Sequence, residues 1–219
     1  MESEGSPVSK PKVRNAALTR ERMLEVATRE FAERGYDGAS LEAIVMACEI
    51  SKNLIYHYFE SKEGLFIAVM ERAYGAMRER QTSIKMTGDS IHDMRELVKK
   101  TVQHFIEQPD FHQLLSTENL HKASHIRKSR VIAPMFNPLR AALSEILDQG
   151  KNQGLFRQDA DWVNLYVSIS GLGSYAITNR YTLSYVLDVD LDAPRQKASR
   201  VEHAADMIIS YLCDLSRSR

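Results

Sequence analysis

Two groups of side chains in this 219-residue sequence have types and spacings that could do chemistry. The first lies in ACEISKNLIYHYFESKEGLF, Ala47 to Phe66, where Ser51, Lys52, Asn53 and Leu54 are followed one turn later by Tyr56 and His57. Such a row suits the edges of bases. An Asn amide can make a two-pronged hydrogen bond to adenine, an apolar side chain can press on a thymine methyl, and Lys can reach guanine or phosphate. The second group is Glu118, His121 and His125, at i, i+3 and i+7 of a predicted helix and therefore on one face of it. The two histidines have the spacing of a helical zinc pair. A hydrolase of the His-Glu-x-x-His type needs Glu after the first His, and this sequence has Lys122 there, with Arg127 adding more positive charge against a dication. Three readings fit the group: a metal site serving an enzyme, a polar stripe facing a ligand, and an exposed helix face. The exposed face is preferred, and no metal is assigned.

Composition limits what these groups can belong to. Apolar residues make up 43% and charged residues 26%, the balance of a soluble globular protein with a sizeable core. The formal net charge is zero, so any nucleic-acid surface has to be a local patch with acids elsewhere cancelling it. The two cysteines, Cys48 and Cys213, lie far apart in apolar helical contexts, which reads as two buried thiols in a reduced, cytoplasmic protein. No apolar run has the length of a membrane span, and the first residues carry no pattern of a secretory signal, so neither a membrane partner nor export is expected.

The elements that must position the two groups are all helical. Residues 1–15, with Lys10, Lys12 and Arg14 at the end, read as a flexible tail, and an arm on phosphate is the alternative. Thr19 would cap a first helix ended by Gly35, Ser40 a short helix over about 41–48, and a second short helix would cover about 52–58. Between them Glu49 stands where a tight turn favours Gly. If it takes positive φ the cost is about 1 kcal/mol, small against the ~5–15 kcal/mol of a domain. Ser61 would cap a long helix reaching the mid-80s, and Ser90 the next one, up to Pro109. Further helices are expected over 110–125, about 139–150, 160–183 and about 195–216. Strand-like alternation is absent, so the chain is read as all-α.

Phe31, Gly35-Tyr36, Ser40, Ile44-Val45, Glu49-Ile50-Ser51, Tyr56, Phe59, Lys62 and Leu65 together resemble the N-terminal pattern of the TetR family of ligand-responsive helix-turn-helix transcription regulators. Val45 stands for the family's Ala and Glu49 for its Gly. The resemblance covers about a fifth of the chain. It implies a three-helix DNA-binding domain at 16–62, joined by a linking helix at 63–86 to a helical effector-binding and dimerisation domain running to residue 219. It further implies a second helix of the motif in the major groove, with Tyr56, Lys62 and Ser40 on phosphates and His57 on backbone or base. Phe59 reads as core, and Tyr58 as either DNA-facing or packed on the first helix. The implied partners are double-stranded operator DNA, a second copy of the chain and a small-molecule effector, with no cofactor.

For the second copy, the small residues Ser168, Gly171 and Ser174 and the apolar run Ala204, Ala205, Ile208, Ile209 and Leu212 would form a four-helix interface, with core inside one subunit as the alternative. For the effector, candidate lining groups are His104, Phe105, Phe111, His112, Leu115, Glu118, Asn119, Phe136, Trp162, Tyr166, Ser170 and Tyr175. The expected function is a sequence-specific repressor released by its effector. A metal-dependent enzyme using the Glu118/His121/His125 face and a helical protein-interaction module are the alternatives.

Overall fold

The computed structural model describes residues 10–214, with side chains from residue 16 onward. Its elements are α1 (Lys10–Gly38), α2 (Leu41–Cys48), α3 (Lys52–Phe59), α4 (Lys62–Thr82), α5 (Ser90–Glu107), α6 (Pro109–Leu120), α7 (Asn137–Asn152), α8 (Trp162–Thr178), α9 (Arg180–Leu187) and α10 (Pro194–Cys213). No strand occurs among the described residues, and the all-α reading holds. Of the proposed tail, residues 1–9 lie outside the described residues and Lys10 already begins α1, so Thr19 is inside a helix rather than its cap.

The helix-turn-helix follows from local chemistry. Gly35, at φ 68°, turns the chain out of the long helix. Ser40 then caps α2, its Oγ accepting the Ala43 N–H at 3.3 Å, while the Glu30 carboxylate accepts the Ser40 N–H at 2.9 Å. Glu49 ends α2 in the left-handed region at φ 56°, and the N–H groups of Glu49 and Ile50 donate back to Met46 and Val45 carbonyls at 3.2 Å. The joint is thus built as the sequence suggested, with Glu accepting the strain. Ser61 caps α4 through the Gly64 N–H at 2.9 Å. Gly64 is obligatory there, because a Cβ would fall 2.0 Å from the Phe59 carbonyl oxygen.

Two cores share α4. The N-terminal one gathers Met23, Ala27, Phe31, Ile44, Ile55, Phe59, Leu65, Phe66 and Val69, with Leu114 and Ile132 reaching in from the rest of the chain. The other is built by α5, α7, α8 and α10 around Leu97, Val98, Leu143, Ile146, Ile169, Ala204 and Ile208. A small cluster of Met77, Phe105 and Phe111 lies against α4 beside them.

Four element expectations are corrected. The cap of α5 is Asp89, not Ser90; its carboxylate accepts the Ile91 and His92 N–H groups, and Asp93 reaches back to the N–H groups of Thr87 and Gly88. The helix over 110–125 stops at Leu120 because Lys122 and Ala123 turn to positive φ. The helix over 160–183 breaks at Asn179 into α8 and α9. In α10, Ala204, Ala205, Ile208 and Leu212 are all buried within this subunit against the α5 side of the core, so the intrasubunit alternative is the correct one for them, and Ile209 packs half-buried on the same core.

Candidate nucleic-acid interface

Along α3, Ile55 and Phe59 point inward and are buried, which turns the opposite side outward. Ser51, Lys52, Asn53, Tyr56 and His57 are all exposed, Tyr56 by 43%, while Leu54 is half-buried against the N-terminal core. Ile55 and Phe59 anchor the helix in the N-terminal core. Tyr58 leans back on α1, its hydroxyl donating to the Ala16 carbonyl at 3.4 Å, so the packed alternative is the one realised. The Arg20 guanidinium sits 5.3 Å over the Phe59 ring and covers that core residue from solvent.

Two of the expected DNA-facing cations already have partners. Lys52 forms an ion pair with Glu42 of α2; hydrogen bonding to the ammonium lowers the Glu42 carboxyl to about 2 and raises the Lys52 pKa. Ser40 donates its hydroxyl to the same carboxylate at 3.1 Å while capping α2. Sequence reasoning missed Glu42, although Ser40-x-Glu42 followed ten residues later by Lys52 carries the signal. Lys62 is half-buried, donates to the Asp37 carbonyl at 3.3 Å and stands 5.1 Å from the centre of the Tyr36 ring.

Tyr36 leads to the Glu118/His121/His125 group, which is neither an exposed face nor a metal site. Among the described residues no cluster has the makings of a metal site. Glu118 and His125 are buried. One Glu118 oxygen accepts the His125 and Ile126 backbone N–H groups at 2.9 and 3.0 Å, and the other lies 2.7 Å from His125 Nδ1. The carboxylate thus closes the corner after α6, with three of its acceptor positions directed to His125 and Ile126. The corner touches the DNA-binding domain: the His125 ring is 4.2 Å from Tyr36 and 5.0 Å from Phe66, and His121 Nε2 is 3.4 Å from Asp37. Tyr36 therefore lies between Lys62 and the corner that follows α6.

The residues expected to line an effector pocket separate into several environments. His104 and Phe111 line a cleft of about 570 Å3 between α4, α5 and α6, closed on one side by Thr28 of α1. Phe105 and His112 lie behind it with ring centres 4.6 Å apart, and Leu115 packs on the same cluster. Burial drives both imidazoles down to about 4, so each is neutral at physiological pH, and neither Nε2 has a hydrogen-bond partner. Ser170 is half-buried, and its hydroxyl oxygen is likewise buried without a partner. Phe136, Trp162 and Tyr166 instead form a half-buried aromatic group between α4, α7 and α8. Three residues of the list lie elsewhere: Glu118 closes the corner on Tyr36, Asn119 is exposed and donates to the Leu115 carbonyl, and Tyr175 is 61% exposed on the outside of α8. Arg78, buried beside the aromatic group, was missed; it stands one turn after Tyr74 on α4, which is the only trace it leaves in the sequence.

On the outside of α8 and α10 a different face appears. Ser168 and Gly171 are exposed and Ser174 half-buried, among exposed Val163, Val167, Met207 and Tyr211. A shallow depression lined by Ser168, Leu172, Met207 and Tyr211 runs between the two helices.

Comparison with known proteins fits this geometry. Residues 23–69 match the family described as bacterial regulatory proteins, tetR family, and residues 91–208 match the tetracyclin repressor-like C-terminal domain. The chain is 32% identical over 202 residues to the HTH-type transcriptional repressor NicS of Pseudomonas putida, covering 92% of this chain and 95% of that one. Over 91 residues it is 32% identical to the HTH-type transcriptional repressor NemR of Escherichia coli, 41% of this chain and 46% of that one. A TetR family transcription regulator from Marinobacter aquaeolei has the same fold, with TM-score 0.71 at 20% identity over 92% of this chain and 99% of that one. Two family matches that together span most of the chain and a near full-length repressor relative establish that the chain belongs to the TetR family of DNA-binding transcriptional regulators.

Proposed function

We propose that this regulator represses by placing the exposed face of α3 in the major groove of an operator, as a homodimer, and is released when a small molecule occupies its C-terminal domain. The observation that carries the reading is the row Ser51, Lys52, Asn53, Tyr56 and His57, all exposed on one side of a helix whose other side is locked into the core by Ile55 and Phe59. Two such helices about a two-fold axis read half-sites about one turn, ~34–36 Å, apart. The reading needs no cofactor and no catalytic group, and it places the protein in the cytoplasm with the DNA. In keeping with that, no helix among the described residues is long and apolar enough to cross a membrane.

Release would run through α4, which begins at Lys62 and reaches the effector domain, and through the Glu118–His125 corner packed on Tyr36. Coupling of this kind amounts to ~1–3 kcal/mol. Selection of binding sites from random duplex DNA tests the reading. It should return a two-fold symmetric site, and Asn53→Ala should lose discrimination at one symmetric position by roughly 1–3 kcal/mol. Failure to enrich any sequence would remove DNA recognition from the protein's role.

A further inference from the structure

Four charged side chains other than histidine are buried among the described residues, and three of them are answered. Asp93 accepts backbone and hydroxyl hydrogens from Thr87 and the Gly88 N–H, Glu118 is bound to His125, and Arg157 is held in a two-pronged pair by Asp159 at 2.6 and 2.7 Å. Arg78 is the exception. At 8% exposed it donates through Nη1 to Gln81 and through Nη2 to the Tyr166 hydroxyl at 3.1 Å, and its Nε has no partner. Its remaining neighbours are ring faces, with Phe136, Tyr166 and Tyr74 centred 4.8, 5.6 and 5.8 Å from the guanidinium carbon. Ring faces return only a fraction of the hydration that a buried guanidinium gives up, so a charge placed like this is completed by an anion.

The unanswered part of Arg78, a buried Nε beside the Nη2 held by Tyr166, is a specific one. Nε and Nη2 form the lateral edge of the guanidinium, which takes both oxygens of a carboxylate at once. The opposite side is fixed, because Gln81 is anchored through its amide to Thr101 at 3.1 Å and Thr101 donates to the Leu97 carbonyl at 2.8 Å. Tyr166 accepts from Nη2 now and can turn its own O–H onto an arriving oxygen. Phe136 and Tyr166, which face the guanidinium, meet edge-on at 4.9 Å, and the half-buried Trp162 ring lies 5.9 Å from Phe136 with the Arg140 guanidinium 5.0 Å over it. We propose that this is a binding site for a small aromatic monocarboxylate, its carboxylate on the Nε/Nη2 edge of Arg78 and its ring among Phe136, Trp162 and Tyr166. This deepens the proposed function and rests on it in one respect only, that the occupant acts as the effector; Arg78 stands on α4, the helix that connects the two domains.

Trp162 is the sole tryptophan, so its fluorescence reports on this site alone. Benzoate titrated into the full-length protein at constant ionic strength should give a saturable fluorescence change and a matching calorimetric isotherm. Benzamide, the same ring without charge, should bind at least about tenfold more weakly, and so should cyclohexanecarboxylate, which is charged but not flat. Arg78→Gln should abolish the benzoate response while Tyr166→Phe weakens it roughly three- to tenfold. If Arg78→Gln does not fold, the benzamide comparison and Tyr166→Phe still decide. No benzoate binding, or equal binding of benzamide, or full binding by folded Arg78→Gln, overturns the site. A gel shift with the selected operator separates the two readings. Benzoate that binds through Arg78 and leaves operator affinity unchanged supports the site and sinks its role as effector site. Intact operator binding without benzoate binding sinks the site and leaves the DNA-binding reading standing.

Discussion

At the interface with DNA, a single acidic residue limits what the recognition helix can offer. Glu42 holds Lys52 across the turn, and both side chains are solvent-exposed, so the pair adds little to stability while occupying the cation nearest the bases. Docking on a phosphate requires Lys52 to exchange one partner for another. Glu42→Gln should therefore tighten binding to any duplex, with the gain largest at low salt. The slope of log affinity against log salt should steepen by about one phosphate contact per subunit. A salt titration of operator affinity measures this, and an unchanged slope would mean that Lys52 does not reach the backbone. The row of α3 was legible because an eight-residue helix with two core residues has only one side left for Asn53, Tyr56 and His57. Glu42 was not, since the pairing spans a turn whose angle emerges only from packing. Arg78 was hidden for a related reason: nothing in its neighbours along the chain says that Phe136 and Tyr166 will close over it.

Elements set by caps and glycines were read well from sequence, and those set by distant contacts were not. Ser40, Ser61 and Gly35 mark their helix ends locally, whereas the end of α6 depends on Glu118 binding the His125 and Ile126 N–H groups, which no periodicity reveals. The α2–α3 joint shows how local strain is tolerated. Glu49 at φ 56° is held by the Ile44 and Ile55 packing on either side, and Glu49→Gly relieves the left-handed conformation without moving the turn. Thermal denaturation should show a change of no more than about 1 kcal/mol, in the stabilising direction, with operator affinity unaltered. The α5–α6 pair carries a stronger dependence on conditions. His104 and His112 stay neutral in the folded chain down to about pH 4, whereas an unfolded histidine takes its proton near 6.5. Between those values the unfolded chain binds more protons, so stability is full above pH 6.5 and falls as the pH drops towards 4. At pH 5 the loss should be about 1–2 kcal/mol for each imidazole. Asp110, raised by burial, acts in the opposite sense, but only lower, in the carboxylate range. Melting curves at pH 7.5 and 5 should therefore diverge for the native chain and converge for the His104→Phe/His112→Phe double variant. Equal divergence in both would assign the acid sensitivity to other groups.

For the molecule as a whole, the question is what covers the outside of α8 and α10. The inner side of α10 is fully used within the subunit, which leaves Val163, Val167 and Tyr175 of α8 and Met207 and Tyr211 of α10 exposed by 43–62% on the other side. Apolar groups gathered in this way mark an interaction surface rather than the skin of a monomer. Ser168 and Gly171 lie among them, exposed and small enough for two helices to approach closely. A two-fold axis passing near Val167 would pack this face on the same face of a second copy, and the paired recognition helices of the proposed operator complex make that copy the natural occupant. Val167→Asp tests that geometry with little risk to the fold, because its side chain is 62% exposed and two like charges would face each other only across the axis. Sedimentation should show a monomer whose helical content and melting temperature match those of a dilute native sample. Operator affinity should fall by roughly a hundredfold or more, since each recognition helix would then have to bind its half-site without the effective concentration supplied by its partner. A Val167→Asp protein that remains dimeric and binds its operator normally would place the interface elsewhere, and the exposed Tyr181 and Tyr185 of α9 would be the next surface to examine.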